Sequence, residues 1–158
     1  MKIASHALAL LACLCGVPHA LADAGHAHAA TTHAATSFGR PGAAKAADRT
    51  IAVTLSDDMR FHPEHLTVRK GETVRFVVRN AGKVPHEMVL GTDASLRQHA
   101  AMMRLSTAMA HDEPGGVMVQ PGRRGELVWT FDRAGRFAFA CLVPGHFEAG
   151  MRGSVVVR

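Results

Sequence analysis

Between residues 50 and 158 the chain is a succession of short β-prone segments parted by turn residues, and this spacing constrains the fold more than any other feature. Residues 50–55 alternate polar and apolar side chains, residues 66–69 follow a break at Pro63, and residues 73–79 are rich in β-branched and aromatic types. The pattern returns at 84–90, 125–131, 136–141 and 153–158, with turns at Lys70-Gly71-Glu72, Asn80-Ala81-Gly82, 120–123 and 132–135. Period-two alternation leaves each strand one face to bury. Strands of this kind, with no βαβ alternation, bury those faces by packing sheet on sheet. The predicted fold is therefore all-β, a Greek-key antiparallel β-sandwich. One segment departs from it. Residues 92–104 are rich in helix formers and open on the capping residues Thr92 or Asp93, which predicts one short helical insertion, then a long loop over 105–116.

The amino-terminal residues read as a secretory signal over 1–22. Lys2 supplies its charge, residues 3–17 its apolar core, and Ala20-Leu21-Ala22 a small-residue cleavage site before Asp23. The apolar run is shorter than the roughly 20 residues a spanning helix needs, and no later segment approaches that length. No membrane span is expected, and the implied location is the periplasm of a Gram-negative bacterium. Cys13 and Cys15 leave with the signal, so Cys141 becomes the one thiol of the mature chain. A single thiol in an exported protein forms no internal disulfide and calls for another role, for which metal ligation is the best available.

Residues 23–49 are rich in Ala, His, Thr and Gly, with too few large apolar groups to offset chain entropy, and are expected to be a disordered linker. Residues 50–158 remain as one domain, long enough for a real core. Loss of Lys2 leaves 17 basic against 13 acidic residues, a net charge of +4. The arginines are dispersed rather than massed, so no nucleic acid partner is expected. A basic face would suit an acidic redox partner, since complementary fields raise encounter rates, or it is an ordinary solvated surface.

The chemistry concentrates between Cys141 and Met151, in Cys-Leu-Val-Pro-Gly-His-Phe-Glu-Ala-Gly-Met. A thiolate, the imidazole of His146 and the thioether of Met151 are what a mononuclear blue-copper site takes from one loop. The second imidazole must come from elsewhere, and His86 on the 84–90 segment is the obvious donor. Alone, each is ordinary: a buried thiol, a surface or core histidine, a gap-filling methionine. Together they form a ligand set.

With strands and ligands placed, residues 50–158 resemble a cupredoxin of the plastocyanin/azurin-like group. The likeness rests on Met59-Arg60-Phe61-His62-Pro63, on Leu66 through Gly71, on Thr73-Val74-Arg75-Phe76, on Asn80 six residues before His86, and on Gly145-His146. It implies a single type 1 copper ion with His86, Cys141 and His146 equatorial and Met151 axial. The Cys-x4-His-x4-Met spacing is similar to that of rusticyanin-type and auracyanin-type members. By the same resemblance, the Glu87 N–H donates to the Cys141 sulfur, Pro144, Gly145 and Phe147 wall the site, and His146 lies near solvent as an electron port.

A narrower resemblance is to periplasmic copper-resistance cupredoxins, which join a His-rich amino-terminal tract and a Met/His-rich insertion to this domain. The matching residues are His26, His28 and His33, then His99, Met102, Met103, Met109 and His111. The first group is a weak extra copper site or a solvated linker; the second is a Cu(I) site or core filling. Met59 and Met88 read as packing, and His62 and His65 as surface groups. The function this implies is copper tolerance or copper handling by redox cycling of Cu(I)/Cu(II). The alternative is a soluble electron carrier between periplasmic redox partners such as a cytochrome. No enzyme chemistry is expected, because copper oxidases need further histidine clusters, and the protein is expected to be a monomer.

Overall fold

The computed structural model describes residues 36–105 and 114–158. The expected signal at 1–22, residues 23–35 with their histidines, and Met109 and His111 lie outside the described residues. In chain order the elements are β1 (Arg40–Pro41), β2 (Arg49–Ser56), β3 (Arg60–His62), β4 (His65–Val68), β5 (Thr73–Asn80) and β6 (His86–Gly91). Helix α1 (Asp93–Leu105) comes next, then β7 (Gly116–Val119), β8 (Arg124–Thr130), β9 (Gly135–Ala140) and β10 (Arg152–Val157). The strands form two five-stranded sheets, ordered β1-β8-β5-β2-β3 and β4-β10-β9-β6-β7.

The sandwich stands as expected, but its sheets are mixed rather than uniformly antiparallel. β2 runs parallel to β5, and β4 parallel to β10. The physical reason is the crossing between layers. The chain leaves the first sheet after β3, forms β4 in the second, and returns as β5, so β5 lies alongside β2 in the same direction.

Alternation decides what faces the core. On β5, Val74, Phe76 and Val78 are fully buried, while Arg75, Val77 and Arg79 point outward. Phe61, Phe76, Trp129, Phe131 and Phe139 fill the space between the sheets, with Phe61 and Phe139 edge to face at 4.9 Å. Strand β9 is buried on both faces: Phe137 and Phe139 point inward, while Ala138 and Ala140 belong to an outer cluster with Leu96 and Ala100 of α1. Small residues there let the helix sit close to the sheet. Thr92 is its cap: Thr92 Oγ1 accepts from the Ser95 N–H at 3.1 Å and Ser95 Oγ from the Thr92 N–H at 3.0 Å, a reciprocal pair.

Residues 36–49, expected to be part of an unstructured linker, are instead built into the domain. Phe38 is 4% exposed and stacks on Trp129 with ring centroids 5.3 Å apart, while β1 pairs with the end of β8. One aromatic among small residues carries little weight in composition, yet here it closes the end of the core. Gly39 permits the approach: a Cβ there would lie 2.2 Å from the Thr130 carbonyl oxygen. The strands at 40–41, 60–62 and 116–119 were not apparent in the sequence because each is too short to show a period, and β7 begins within the stretch expected to be loop.

Candidate metal centre

His86 opens β6, and a buried amide helps to hold the loop before it. Asn80 Nδ2 donates to the carbonyls of Val84 and Val119 at 2.8 and 2.9 Å, and its Oδ1 accepts from the Gly82 N–H at 2.8 Å. The imidazole it places is fully buried. His86 Nε2 lies 3.0 Å from Asp57 Oδ1. A carboxylate only accepts, so Nε2 carries the proton and Nδ1 is left with its lone pair. That Nδ1 is buried and has no hydrogen-bond partner.

Cys141 follows directly on β9 and is also fully buried. The Glu87 N–H donates to its sulfur at 3.4 Å, as expected, and the Glu87 carboxylate, which was not foreseen, accepts from the Leu142 N–H at 2.8 Å. Burial pushes the thiol up to about 12, against the opposing pull of the Glu87 and Val143 backbone N–H groups.

His146 is carried by a turn written into Val143-Pro144-Gly145-His146. Gly145 has φ +89°, and the His146 N–H donates to the Val143 carbonyl at 2.9 Å, as a type II turn with Pro and Gly at its centre requires. The turn brings His146 Nδ1 to 3.3 Å from Cys141 Sγ, with the two imidazole rings 4.8 Å apart. Burial first, and then His86, hold the His146 imidazole below its ordinary value. Met151 is fully buried in the core cluster that includes Cys141; its N–H donates to the His146 carbonyl at 3.0 Å and its carbonyl accepts from the Cys141 N–H at 3.1 Å.

The donor atoms of His86, Cys141 and His146 all lie within 4.8 Å of one another. All three, with Met151, belong to the second sheet or to the loop joining β9 to β10, whereas Asp57 comes from the turn after β2 in the first. A thiol and two imidazole nitrogens, with a buried thioether on the same loop, fit copper, and a buried ring nitrogen without a partner is what such a site needs.

Other expected residues fall elsewhere. Phe147 packs on the cluster under α1, with the Arg152 guanidinium 4.9 Å above its ring. Met103 packs on that cluster, whereas the adjacent Met102 is 48% exposed, so the two thioethers diverge. Met88 is fully buried as packing, and His62 and His65 are exposed, as expected. No helix among the described residues is long and apolar enough to cross a membrane. Asp57 was missed in the sequence, where it is one of many surface-prone acids 29 residues from His86.

Comparison with known proteins agrees with this geometry. A family described as copper binding proteins, plastocyanin/azurin family, matches residues 49–158. The chain is 57% identical over 145 residues to a copper-resistant cuproprotein CopI of Rubrivivax gelatinosus, covering 88% of each chain. It is 39% identical over 151 residues to the CopI of Pseudomonas aeruginosa, covering 77% of this chain and 83% of that one. In structure it is similar to auracyanin A, a "blue" copper protein from Chloroflexus aurantiacus, with a TM-score of 0.59 and 26% identity over 69% of this chain and 98% of that one. The match over the whole sandwich, together with the clustered thiol and imidazoles, shows that the chain belongs to the plastocyanin/azurin family of copper-binding proteins, the cupredoxins.

Proposed function

We propose that this protein is a periplasmic copper-tolerance protein that holds one type 1 copper ion through His86 Nδ1, Cys141 Sγ, His146 Nδ1 and the Met151 thioether. The observation that carries this reading is the buried, unpartnered Nδ1 of His86, on a residue whose donor atom lies within 4.8 Å of those of Cys141 and His146. Bound copper supplies one-electron exchange between Cu(I) and Cu(II). The chain's own residues supply the rest. Asp57 fixes the His86 ring and its tautomer, the Glu87 N–H supports negative charge on the sulfur, and burial keeps water from the thiolate. Ligands set between paired strands change little in position, which suits one geometry to both oxidation states. No residue is assigned a catalytic role.

Kinship with two proteins named copper-resistant cuproproteins supports tolerance as the role. A second reading, electron carriage, is favoured by one observation: His146 is only partly buried while the other three donors are fully enclosed, which leaves an edge for electron exchange. The site is tested by visible and paramagnetic-resonance spectra of the Cu(II) protein beside Cys141→Ser, with metal counting. An intense thiolate charge-transfer band, lost in the variant, and one copper per chain are expected; a parent without that band refutes the assignment. A deletion strain that grows normally across copper concentrations would refute the tolerance role while leaving the site intact.

A further inference from the structure

Arg79 and Arg124 stand directly opposite one another in the antiparallel β5–β8 ladder, and both are exposed. Like charges in that position weaken a strand pair. The same ladder shows how a cation there is otherwise satisfied. Arg75, on the same outward face of β5, is gripped by Glu126 through two guanidinium–carboxylate hydrogen bonds. Among the described residues no carboxylate pairs with Arg79 or Arg124, nor with their neighbours Arg123 and Lys83.

The backbone that carries these four residues is tied down. The Arg123 carbonyl accepts from the Asn80 N–H at 3.0 Å, and the Lys83 N–H donates to Asp57 Oδ2 at 2.8 Å. Beyond Lys83 the loop continues through exposed Val84 and Pro85 to buried His86. An uncompensated cationic group on a fixed backbone, bordered by an apolar edge, is complementary to a surface that sets carboxylates around an apolar centre.

We propose that Arg79, Lys83, Arg123 and Arg124, with Val84 and Pro85, form a docking face for a protein partner that presents clustered carboxylates. Docking there brings the partner to the His86 end of the candidate metal site. A protein fits better than an anionic lipid surface, because Asp57 and Glu126 border the cations and would repel a continuous sheet of negative charge, whereas a discrete partner surface can avoid them. The inference does not depend on what the site binds.

The test uses the full mature chain at low ionic strength, titrated with poly-L-glutamate as the acidic probe and, separately, with phosphatidylglycerol vesicles, and followed by amide chemical shifts. Poly-L-glutamate should shift residues 79–84 and 122–124. The pair Arg79→Gln with Arg124→Gln should weaken that binding by about fivefold or more, while Arg133→Gln with Arg136→Gln, an equal charge change past the other end of β8, should weaken it by less than about twofold. Arg79→Gln alone should keep or raise the melting temperature, since it relieves a like-charge pair. Equal weakening by both double variants would reduce the effect to net charge and overturn the proposal. So would binding to vesicles without binding to poly-L-glutamate, or a lowered melting temperature for Arg79→Gln.

Discussion

Asp57 holds His86 by Nε2, the nitrogen opposite the unpartnered Nδ1: its Oδ1 lies 3.0 Å from Nε2, while its Oδ2 accepts from the Lys83 N–H at 2.8 Å. These contacts, the Lys83 N–H foremost, keep the Asp57 carboxyl below the usual carboxylate value. One side chain thus sets both the ring and the loop that precedes it. Removing such a partner typically costs 10–100-fold in metal affinity. Asp57→Ala is therefore expected to weaken copper binding by about 10–100-fold in competition with a chelator, and Asp57→Asn by less, since its amide oxygen still accepts from Nε2.

The thiol makes a prediction about pH. The fold raises Cys141 from an ordinary 9.0 to about 12 by burial. The raised value means that the folded state favours the protonated form, so this contribution to stability is present below pH 9 and is lost as pH climbs towards 12. Melting temperatures of the metal-free protein should fall over that window, and Cys141→Ser should lack that part of the fall. Copper loading at neutral pH should release one proton from the thiol, read in weakly buffered solution, and affinity should rise about tenfold per pH unit in that range.

Phe38 predicts where the domain begins. Truncating a buried Phe to Ala costs about 3–5 kcal/mol, so Phe38→Ala should lower stability by that order in denaturant melts. Trp129 is the sole tryptophan and loses its stacking partner, so its fluorescence should move to longer wavelength in the folded variant. A chain begun at residue 50 should be destabilised further, because it also loses β1.

Glu87 serves the site twice, through its N–H to the sulfur and its carboxylate to the Leu142 N–H. Glu87→Ala strands the Leu142 donor and should cost about 1–3 kcal/mol in thermal or chemical melts. Glu87→Gln retains an acceptor and should lose much less. Both keep the backbone bond to sulfur, so the thiolate band should persist in each.

What could be read from the sequence, and what could not, follows from the range of the interactions. The clustering of His86, Cys141 and His146 was legible because two of them share one loop and the third opens a strand. The turn under His146 was legible in Pro144-Gly145. Asp57 and the Glu87 carboxylate were not, because their partners are distant in sequence and an isolated acid carries no period. Phe38 was masked by the small residues around it, and the parallel pairing of β2 with β5 depends on a crossing that alternation does not encode.

The division of the site between the two layers has a mechanical consequence. His86 begins one strand of the second sheet, and Cys141, His146 and Met151 lie on the loop between two others, so sliding of one layer over the other leaves the spacing of the donors untouched. From the first layer, Asp57 reaches across to His86 and the Lys83 N–H, Asn80 to the Val84 and Val119 carbonyls, and Arg60 to the Ala149 carbonyl. Shear between the layers thus reaches the metal site through these few polar contacts, and of the three side chains only Asp57 bonds an imidazole of the donor set, which makes it the gauge by which His86 registers strain in the rest of the sandwich.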